Sequence, residues 1–275
     1  MSYQIPNTEL ELNLTVVDSE RLHLHEHVVS DHVDRLVEAI RGDGELRDPV
    51  IVDRDTGVVL DGMHRFTVLK QLGYEVIPVC EIPYTAEEVA VGSWVKIYES
   101  NAYDHIVETA SELDIGPVTA EEPDTATRPE PCPVIETVER TAFLDIDATD
   151  LTTYLPAINR FFARLLDGGF EPRLIPDVVY ESARPGEVVI RQPMVDKDTV
   201  IEAARNGVPF PPNTSRHIIP TRPVGVDVPL RLLEHDAIEA SRHLDDYLAG
   251  RDVHVLERGS SHKGRTYEEE LVVFD

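Results

Sequence analysis

The chain has 275 residues, enough for one large domain or two modest ones with a sizeable core. Its 52 acidic and 25 basic residues give a formal net charge of −27, and so acidic a surface repels both nucleic acid and anionic membranes. The acidic residues are spread along the whole chain, which is tolerable where high salt screens them. We therefore expect a halophilic host and a charge unrelated to the ligand.

Cysteine content and hydropathy narrow the protein class further. Cys80 and Cys132 are too few for a disulfide framework or a zinc site. The N-terminus lacks a basic-then-apolar signal pattern, and no apolar run approaches the roughly 20 residues that a membrane span needs. These features predict a soluble, cytoplasmic protein.

The first part of the chain predicts a compact α+β unit. Residues 10–17 alternate apolar and polar, as in a half-buried strand, and Ser30 and Asp31 can cap a helix that ends at Gly42. Buried strands follow at residues 50–52, 58–60 and 76–82, with a hairpin turn at residues 55–57.

An alternating run of histidines precedes that helix. His23, His25 and His27 would share one face of a strand, and with Glu26 they suggest a metal site. Zinc usually takes ligands at wider, mixed spacing, so we assign no transition metal here. From the residues alone, Glu26 is predicted to be an exposed loop carboxylate.

Residues 58–73 predict a strand, a glycine turn and a helix. The apolar residues 58–60 run into Asp61 and Gly62, and Phe66 and Leu69 then fall at helical spacing before a stop at Gly73. The start of such a helix presents free backbone N–H groups and favours bound anions.

His64 and Arg65 lie in the first turn of this helix, where cations are unfavourable. A bound phosphate would remove the conflict, and Arg65 could grip it with two parallel hydrogen bonds. The alternative is that Asp61 merely caps the helix and that both cationic side chains are exposed.

The second part of the chain carries further predicted elements. Trp94 lies in a segment of helical character, and a lone tryptophan is more often a core residue than a ligand contact. Residues 114–132 are rich in Pro, Thr, Glu and Asp and predict a linker or surface loop. Helices are predicted at residues 151–166 and 197–205, the second ended by Gly207, and strands at residues 138–146 and 188–190.

A polar cluster follows two prolines. Pro211 and Pro212 stiffen the approach to a run of hydroxyl, guanidinium and imidazole groups, namely Thr214, Ser215, Arg216 and His217. Such a cluster on an ordered loop can bind a small zwitterion or a phosphate. The alternative is an ordinary surface turn.

Residues 22–84 resemble a ParB/sulfiredoxin-type domain, and within that superfamily they resemble the free serine kinases. Those enzymes phosphorylate L-serine to O-phospho-L-serine with ADP or ATP. Their Asp-Gly-His-His-Arg box reads Asp61-Gly62-Met63-His64-Arg65 here, with Met63 in place of the first histidine. Their Pro-Pro-x-Thr-x-Arg-His signature is matched by residues 211–217.

The resemblance implies an architecture and a reaction. The fold is expected to be α+β, with a ParB/sulfiredoxin-like N-terminal domain that binds nucleotide and phosphate (residues 1–115). A linker or surface loop (116–133) and a second, smaller α/β domain that completes the serine site (134–275) would follow. The expected reaction is phosphorylation of free L-serine with ADP or ATP and Mg²⁺.

The resemblance also implies site residues. The serine kinases carry a His-Glu pair at His25-Glu26, in which the glutamate is the base, so the expected catalytic residues are Glu26, His64 and Arg65. The expected nucleotide-binding residues are Leu46, Pro49, Ile51, Asp61, Gly62, Met63, His64 and Arg65. The expected serine-binding residues are Ser30, Trp94, Thr214, Ser215, Arg216 and His217.

The alternative is a ParB-like, nucleotide-dependent DNA-binding or partition-type module without kinase activity. That reading predicts a basic face and a helix-turn-helix after the first domain, and the sequence offers neither clearly. Sulfiredoxin-like chemistry needs a reactive cysteine in the turn, where Met63 stands, and a thioether is not that nucleophile.

Overall fold

The computed structural model describes residues 2–5, 8, 10–119 and 132–275. The chain divides into two compact units: residues 1–90 with 217–275 form the first unit, and residues 91–216 form the second unit. This division differs from the expected boundaries at residues 115 and 134, because the C-terminal segment returns to the first unit.

The helices of the described residues are α1 (Ser30–Asp43), α2 (Met63–Gln71), α3 (Tyr103–Glu112), α4 (Leu151–Asp167), α5 (Lys197–Arg205) and α6 (Ala237–Leu248). The predicted stops at Gly73 and Gly207 are confirmed, since both glycines have positive φ, at 87° and 68°. After α2, Gly73 N–H donates to Lys70 O and Tyr74 N–H donates to Leu69 O, which is the Schellman arrangement.

The predicted ends of α1 are wrong by a small margin. Val29 is the N-cap residue, and neither Ser30 nor Asp31 supplies a side-chain cap because both already lie inside the helix. The helix runs past Gly42 to Asp43 and ends at Gly44, whose φ of 70° allows the left-handed conformation.

The strands of the described residues are β1 (Tyr3–Gln4), β2 (Asn13–Asp18), β3 (His23–Leu24), β4 (Glu45–Leu46), β5 (Val50–Asp53), β6 (Val58–Asp61), β7 (Val76–Ile82), β8 (Ala90–Glu99), β9 (Pro117–Thr119), β10 (Val134–Glu136), β11 (Thr141–Leu144), β12 (Arg173–Pro176), β13 (Glu187–Arg191), β14 (Ser215–Ile218), β15 (Thr221–Val224), β16 (Val228–Pro229), β17 (Val253–Leu256), β18 (Ser261–His262), β19 (Arg265–Thr266) and β20 (Glu270–Phe274).

The first unit is built on a six-stranded mixed sheet in the order β1-β2-β7-β5-β6-β3. The predicted hairpin joins β5 and β6 antiparallel, whereas β5 is parallel to β7 and β3 is parallel to β6. Val58, Val59 and Leu60 are at most 3% exposed, and burial of such a side chain stabilises the fold by about 1.5–3 kcal/mol. The apolar β6 therefore carries Asp61 to the end of the sheet, where α2 begins.

The C-terminal segment belongs to the first unit through specific contacts. Ser241 of α6 accepts the Val16 N–H and donates to the Val16 carbonyl, which joins α6 to β2. A second small sheet, in the order β15-β20-β17, is held at one end by Arg251, which donates to the carbonyls of Gly225 and Phe274. These contacts are non-local, so the pattern of the sequence does not reveal them.

The second unit combines α3, α4 and α5 with an antiparallel sheet in the order β12-β8-β13-β10-β11-β9. Ile158, Phe161 and Leu165 of α4 are fully buried in its main core. The predicted mixed α+β class is confirmed.

The segment around Trp94 is a strand, so its predicted helical character is wrong. Val95 and Ile97 pack in one apolar cluster while Tyr98 packs in another, which is the two-residue period of a strand. The packing on both faces of β8 overrides the local pattern.

The predicted linker at residues 116–133 begins inside a strand. β9 pairs antiparallel with β11, and residues 120–131 lie outside the described residues. Throughout the described ranges, no helix combines the length and the apolar character needed to cross a membrane.

Candidate functional site

The turn between β6 and α2, residues 61–65, is called the phosphate turn below. Gly62 is the N-cap residue of α2, with φ of 90°, as the predicted strand–glycine–helix pattern requires. The first helical hydrogen bond runs from Phe66 N–H to Gly62 O, so the N–H groups of residues 63–65 have no acceptor within the helix. Such a helix start can bind an anion through these free N–H groups.

Arg65 folds back over this turn. Its Nη2 donates to Asp61 Oδ2 at 2.5 Å, and its Nη1 donates to the Asp48 carbonyl at 3.1 Å. Asp61 also pairs with Arg222 at 3.0 Å, and the Arg222 guanidinium contacts Glu269 on its other side. The charge of Arg65, which is unfavourable at a helix start, is thus balanced by the Asp61 carboxylate.

Asp61 is an ion-pair partner, and no side chain caps α2, so the prediction that Asp61 merely caps the helix is wrong. Partial burial would raise the pKa of Asp61, but the Arg222 and Arg65 guanidinium groups outweigh this effect and hold that pKa well below its usual range. The carboxylate is therefore ionised at neutral pH.

His64 turns toward the start of α1. Its Nε2 accepts the Val29 N–H at 3.2 Å, so this nitrogen carries no proton. Burial, together with the nearby His32 and Arg65, lowers the pKa of His64. The imidazole is thus a neutral group at the edge of the phosphate turn.

A pocket of about 360 Å³ opens over the phosphate turn within the first unit. Its lining includes six of the predicted nucleotide-binding residues, which are Pro49, Ile51, Asp61, Gly62, His64 and Arg65. Leu46, buried in β4, and Met63, the first residue of α2, do not line it. The lining residues that were not predicted to bind nucleotide are Leu36, Asp48, Arg222, Pro223, Val224 and Tyr267.

Arg222 is the most consequential of these. It lies on β15, far from the phosphate turn in sequence, and the pairing of β15 with β20 together with the ion pairs to Asp61 and Glu269 sets its position. The available signal was the Arg222-Pro223 pair that follows the Pro-Pro-x-Thr-x-Arg-His match.

Glu26 is buried, with 4% of its surface exposed, so the prediction of an exposed loop carboxylate is wrong. His25 is fully buried beside it, with its Nε2 3.7 Å from Glu26 Oε1. The cause is tertiary: His25 Nδ1 lies 2.6 Å from the Val59 carbonyl of the central strand β6. His217 packs edge-to-face on His25, with ring centroids 4.9 Å apart.

The expected alternation of the three histidines on one strand is wrong. β3 contains only His23 and Leu24, so the three alternating histidines do not share one strand. Among the described residues, no group of three or more His, Cys, Asp or Glu side chains could hold a metal ion. Ser30, predicted to bind serine, is exposed at the first position of α1.

The second unit contains four of the predicted serine-binding residues, Trp94, Thr214, Ser215 and Arg216, whereas His217 belongs to the first unit. Trp94 N–H donates to the Thr214 carbonyl at 3.4 Å, and the Arg216 guanidinium lies 5.9 Å from the centroid of the Trp94 ring. Gln192 donates to Thr214 Oγ1 at 3.0 Å, and Thr214 Oγ1 donates to the Pro211 carbonyl at 2.9 Å. Ser215 is buried next in the chain.

Relatives were found over most of the chain, although no family model matches it. A "ParB-like protein" of Sulfolobus acidocaldarius is 28% identical over 74% of this chain and 88% of that protein. An "ATP-dependent L-serine kinase" of Staphylothermus marinus is 26% identical over 80% of this chain and 90% of its own. An "ADP-dependent L-serine kinase" of Thermococcus kodakarensis is 22% identical over 84% and 96%.

Solved structures agree on the fold. SbnI from Staphylococcus aureus, truncated at its C-terminus, has a TM-score of 0.71 at 22% identity, covering 86% of this chain and 95% of that one. A free serine kinase in complex with AMP has a TM-score of 0.67 at 21% identity, covering 84% and 97%. The predicted resemblance to the ParB-like free serine kinases is confirmed.

Proposed function

We propose that this chain phosphorylates the hydroxyl of free L-serine to O-phospho-L-serine, with ADP or ATP as the phosphoryl donor. The observation that carries the proposal is the pocket over the phosphate turn, lined by Asp61, Gly62, His64 and Arg65 as the kinase resemblance requires. The names of two relatives, one ATP-dependent and one ADP-dependent L-serine kinase, support the reaction and both donors.

The pocket suits a nucleotide because its lining combines cationic and apolar side chains. Arg65, Arg222 and the backbone N–H groups at the start of α2 would hold phosphate oxygens. Leu36, Ile51 and Tyr267 offer apolar surface to a base and sugar. Phosphoryl transfer depends mainly on such positioning and charge stabilisation.

Mg²⁺ fits this lining. It needs only one or two carboxylates in addition to phosphate oxygens and water. Asp61 is already held by Arg65 and Arg222, so we propose Asp48, the other carboxylate of the pocket lining, as the Mg²⁺ ligand. Bound there, Mg²⁺ would neutralise charge on the phosphate oxygens.

Glu26 is the proposed base. A buried carboxylate is shielded from water and keeps one orientation, which suits a group that accepts the proton of a serine hydroxyl. The roles of Ser30, Trp94, Thr214, Ser215, Arg216 and His217 in binding serine stay predictions. The DNA-binding alternative predicts a basic face and a helix-turn-helix after the first domain, and the sequence offers neither clearly.

The test is direct. Purified protein is incubated with L-serine, Mg²⁺ and either ADP or ATP, at low and at high KCl, and O-phosphoserine is measured together with AMP or ADP. We expect stoichiometric formation of O-phosphoserine, and a parallel preparation of Glu26→Gln excludes a contaminating kinase. No product with either donor, together with tight binding of duplex DNA, would favour the DNA-binding alternative.

A further inference from the structure

His25 is a buried titratable group to which the proposed mechanism gives no task. It directly precedes the proposed base, and it is 0% exposed while Glu26 is 4% exposed. Its Nε2 lies 3.7 Å from Glu26 Oε1. Burying an imidazole against a carboxylate is costly unless both groups have defined partners.

The hydrogen bond on the far side of the ring fixes the tautomer of His25. A carbonyl oxygen only accepts, so His25 Nδ1, 2.6 Å from the Val59 carbonyl, carries a hydrogen. In the neutral ring, Nε2 then bears the lone pair. Burial lowers the pKa of His25, although the Glu26 carboxylate opposes that shift, so the neutral form is favoured at neutral pH.

Neighbouring side chains restrict the movement of the His25 ring. The His217 ring packs edge-to-face against it, and His217 Nε2 lies 2.8 Å from the Tyr84 hydroxyl, so that ring is also held in place. The charged groups that act on His25 include the Glu26 and Asp61 carboxylates, and both of these favour an imidazolium. A proton that arrives on Nε2 is therefore stabilised by two anions.

We propose that His25 is a positioning residue that accepts, at Nε2, the proton that Glu26 takes from the serine hydroxyl. This inference rests on the proposed function. As the serine oxygen bonds to phosphorus, the bond from phosphorus to the leaving nucleotide oxygen breaks and the hydroxyl proton moves to Glu26. The proton then passes from Glu26 Oε1 to His25 Nε2, which leaves Glu26 a carboxylate and His25 an imidazolium that still donates to Val59.

This arrangement has two consequences. The separation of 3.7 Å exceeds a hydrogen bond and should shorten once Glu26 is protonated and can donate, as catalytic contacts often tighten during turnover. Because a protonated His25 cannot accept a second proton at Nε2, kcat should decrease at low pH. Since His25 is buried, this decrease should occur at a pH below the usual titration range of an imidazole.

The first experiment compares His25→Asn with the wild type. The asparagine amide can still donate to the Val59 carbonyl but has no equivalent of Nε2. We expect kcat to fall by about 10–100-fold, less than for loss of a general base, with KM for serine unchanged and the acid limb of the kcat–pH profile displaced. The control is His27→Asn, on the exposed residue two positions along the same segment, which should leave kcat unchanged.

A second measurement needs no turnover. ¹⁵N NMR of the histidine rings in the wild type should show the Nδ1–H tautomer for His25, and its pKa should be lower in Glu26→Gln because one stabilising anion is gone. If the wild type makes O-phosphoserine but His25→Asn keeps its kcat and acid limb, the relay is wrong and the kinase proposal stands. If the wild type makes no O-phosphoserine, the kinase proposal is wrong. Independently of turnover, the proposed pairing of His25 with Glu26 is overturned if His25 is found as the Nε2–H tautomer, or if its pKa is the same in Glu26→Gln as in the wild type.

Discussion

Two properties of Gly62 suit it to the phosphate turn, namely its positive φ and its lack of a Cβ atom. Its φ is 90°, and a Cβ built on it would lie 2.6 Å from Arg65 Nη2 and 2.8 Å from Arg65 Nε. Alanine at this position would push the guanidinium away from Asp61 and from the Asp48 carbonyl. Gly62→Ala therefore tests whether the packing of Arg65 on the turn creates the anion site.

The expected cost has two parts. Placing alanine in the left-handed region costs about 1–2 kcal/mol. Displacing Arg65 breaks a hydrogen bond to a charged group, worth about 1.5–3 kcal/mol in general. The Asp61 side chain is 37% exposed, so solvent screens the pair and we take about 1 kcal/mol for this part. The free energy of unfolding should thus fall by about 2–3 kcal/mol.

The matched control lies at the other end of the same helix. Gly73 has φ of 87°, and a Cβ built on it meets no atom within 4 Å. Gly73→Ala should therefore lose only the backbone part, about 1–2 kcal/mol. The difference between the two variants isolates the displacement of Arg65.

The assays are urea unfolding and calorimetric titration with ADP. We expect the dissociation constant for ADP to rise by roughly 10–100-fold in Gly62→Ala, which corresponds to about 1.4–2.7 kcal/mol, and to stay unchanged in Gly73→Ala. Equal stability and equal ADP affinity in the two alanine variants would refute the reasoning.

Three further predictions concern other residues of the site. Glu26→Gln should lower kcat by roughly 10²–10⁴-fold with little change in KM, whereas steady-state kinetics of Glu45→Gln should match the wild type. The folded pKa of Asp61 lies below its unfolded value, so its ion pairs stabilise the fold above about pH 4 and that stability is lost as the pH falls through the folded pKa. Urea unfolding should therefore show Asp61→Asn to be less stable than the wild type at pH 7, with a gap that narrows below about pH 4, and a gap as large at pH 2 as at pH 7 contradicts this assignment. Trp94→Phe should raise KM for serine several-fold through loss of its contact with Arg216, and an unchanged KM excludes Trp94 from the serine site.

Local signals predicted the phosphate turn because short-range physics determines it. The apolar run of β6, the positive φ of Gly62 and the glycine stop of α2 all act within a few residues. The same holds for α5, whose predicted bounds are those of the structure. Most of the pocket-lining residues that lie in the phosphate turn could be predicted from these elements and from the resemblance.

Long-range packing decided what the sequence did not reveal. Glu26 looked exposed because its neighbours are polar, but the hydrogen bond from His25 to β6 buries the pair. Arg222 reaches the pocket only because the C-terminal segment returns to the first unit. The strand around Trp94 follows from packing on both faces of β8, which no local propensity encodes.

Lys96 shows how the second unit holds the loop that carries Thr214. Its side chain is buried, with Nζ donating to the Asn213 carbonyl at 2.5 Å and lying 4.9 Å from the centroid of the Phe162 ring. Asn213 has φ of 56°, a left-handed conformation that asparagine adopts more readily than most residues. The Lys96 ammonium holds the Asn213 carbonyl, so loss of its charge should let the loop relax and displace Thr214.

Lys96→Met keeps the volume of the side chain and removes the donor. We expect KM for serine to rise about tenfold, a change of about 1.4 kcal/mol, while the dissociation constant for ADP, measured by titration, is unchanged because the proposed nucleotide pocket lies in the first unit. Asn213→Gly is the control, since glycine accepts the positive φ and keeps the carbonyl that Lys96 binds. A wild-type KM in Lys96→Met, or an equal rise in Asn213→Gly, would show that the buried ammonium does not position this loop for serine.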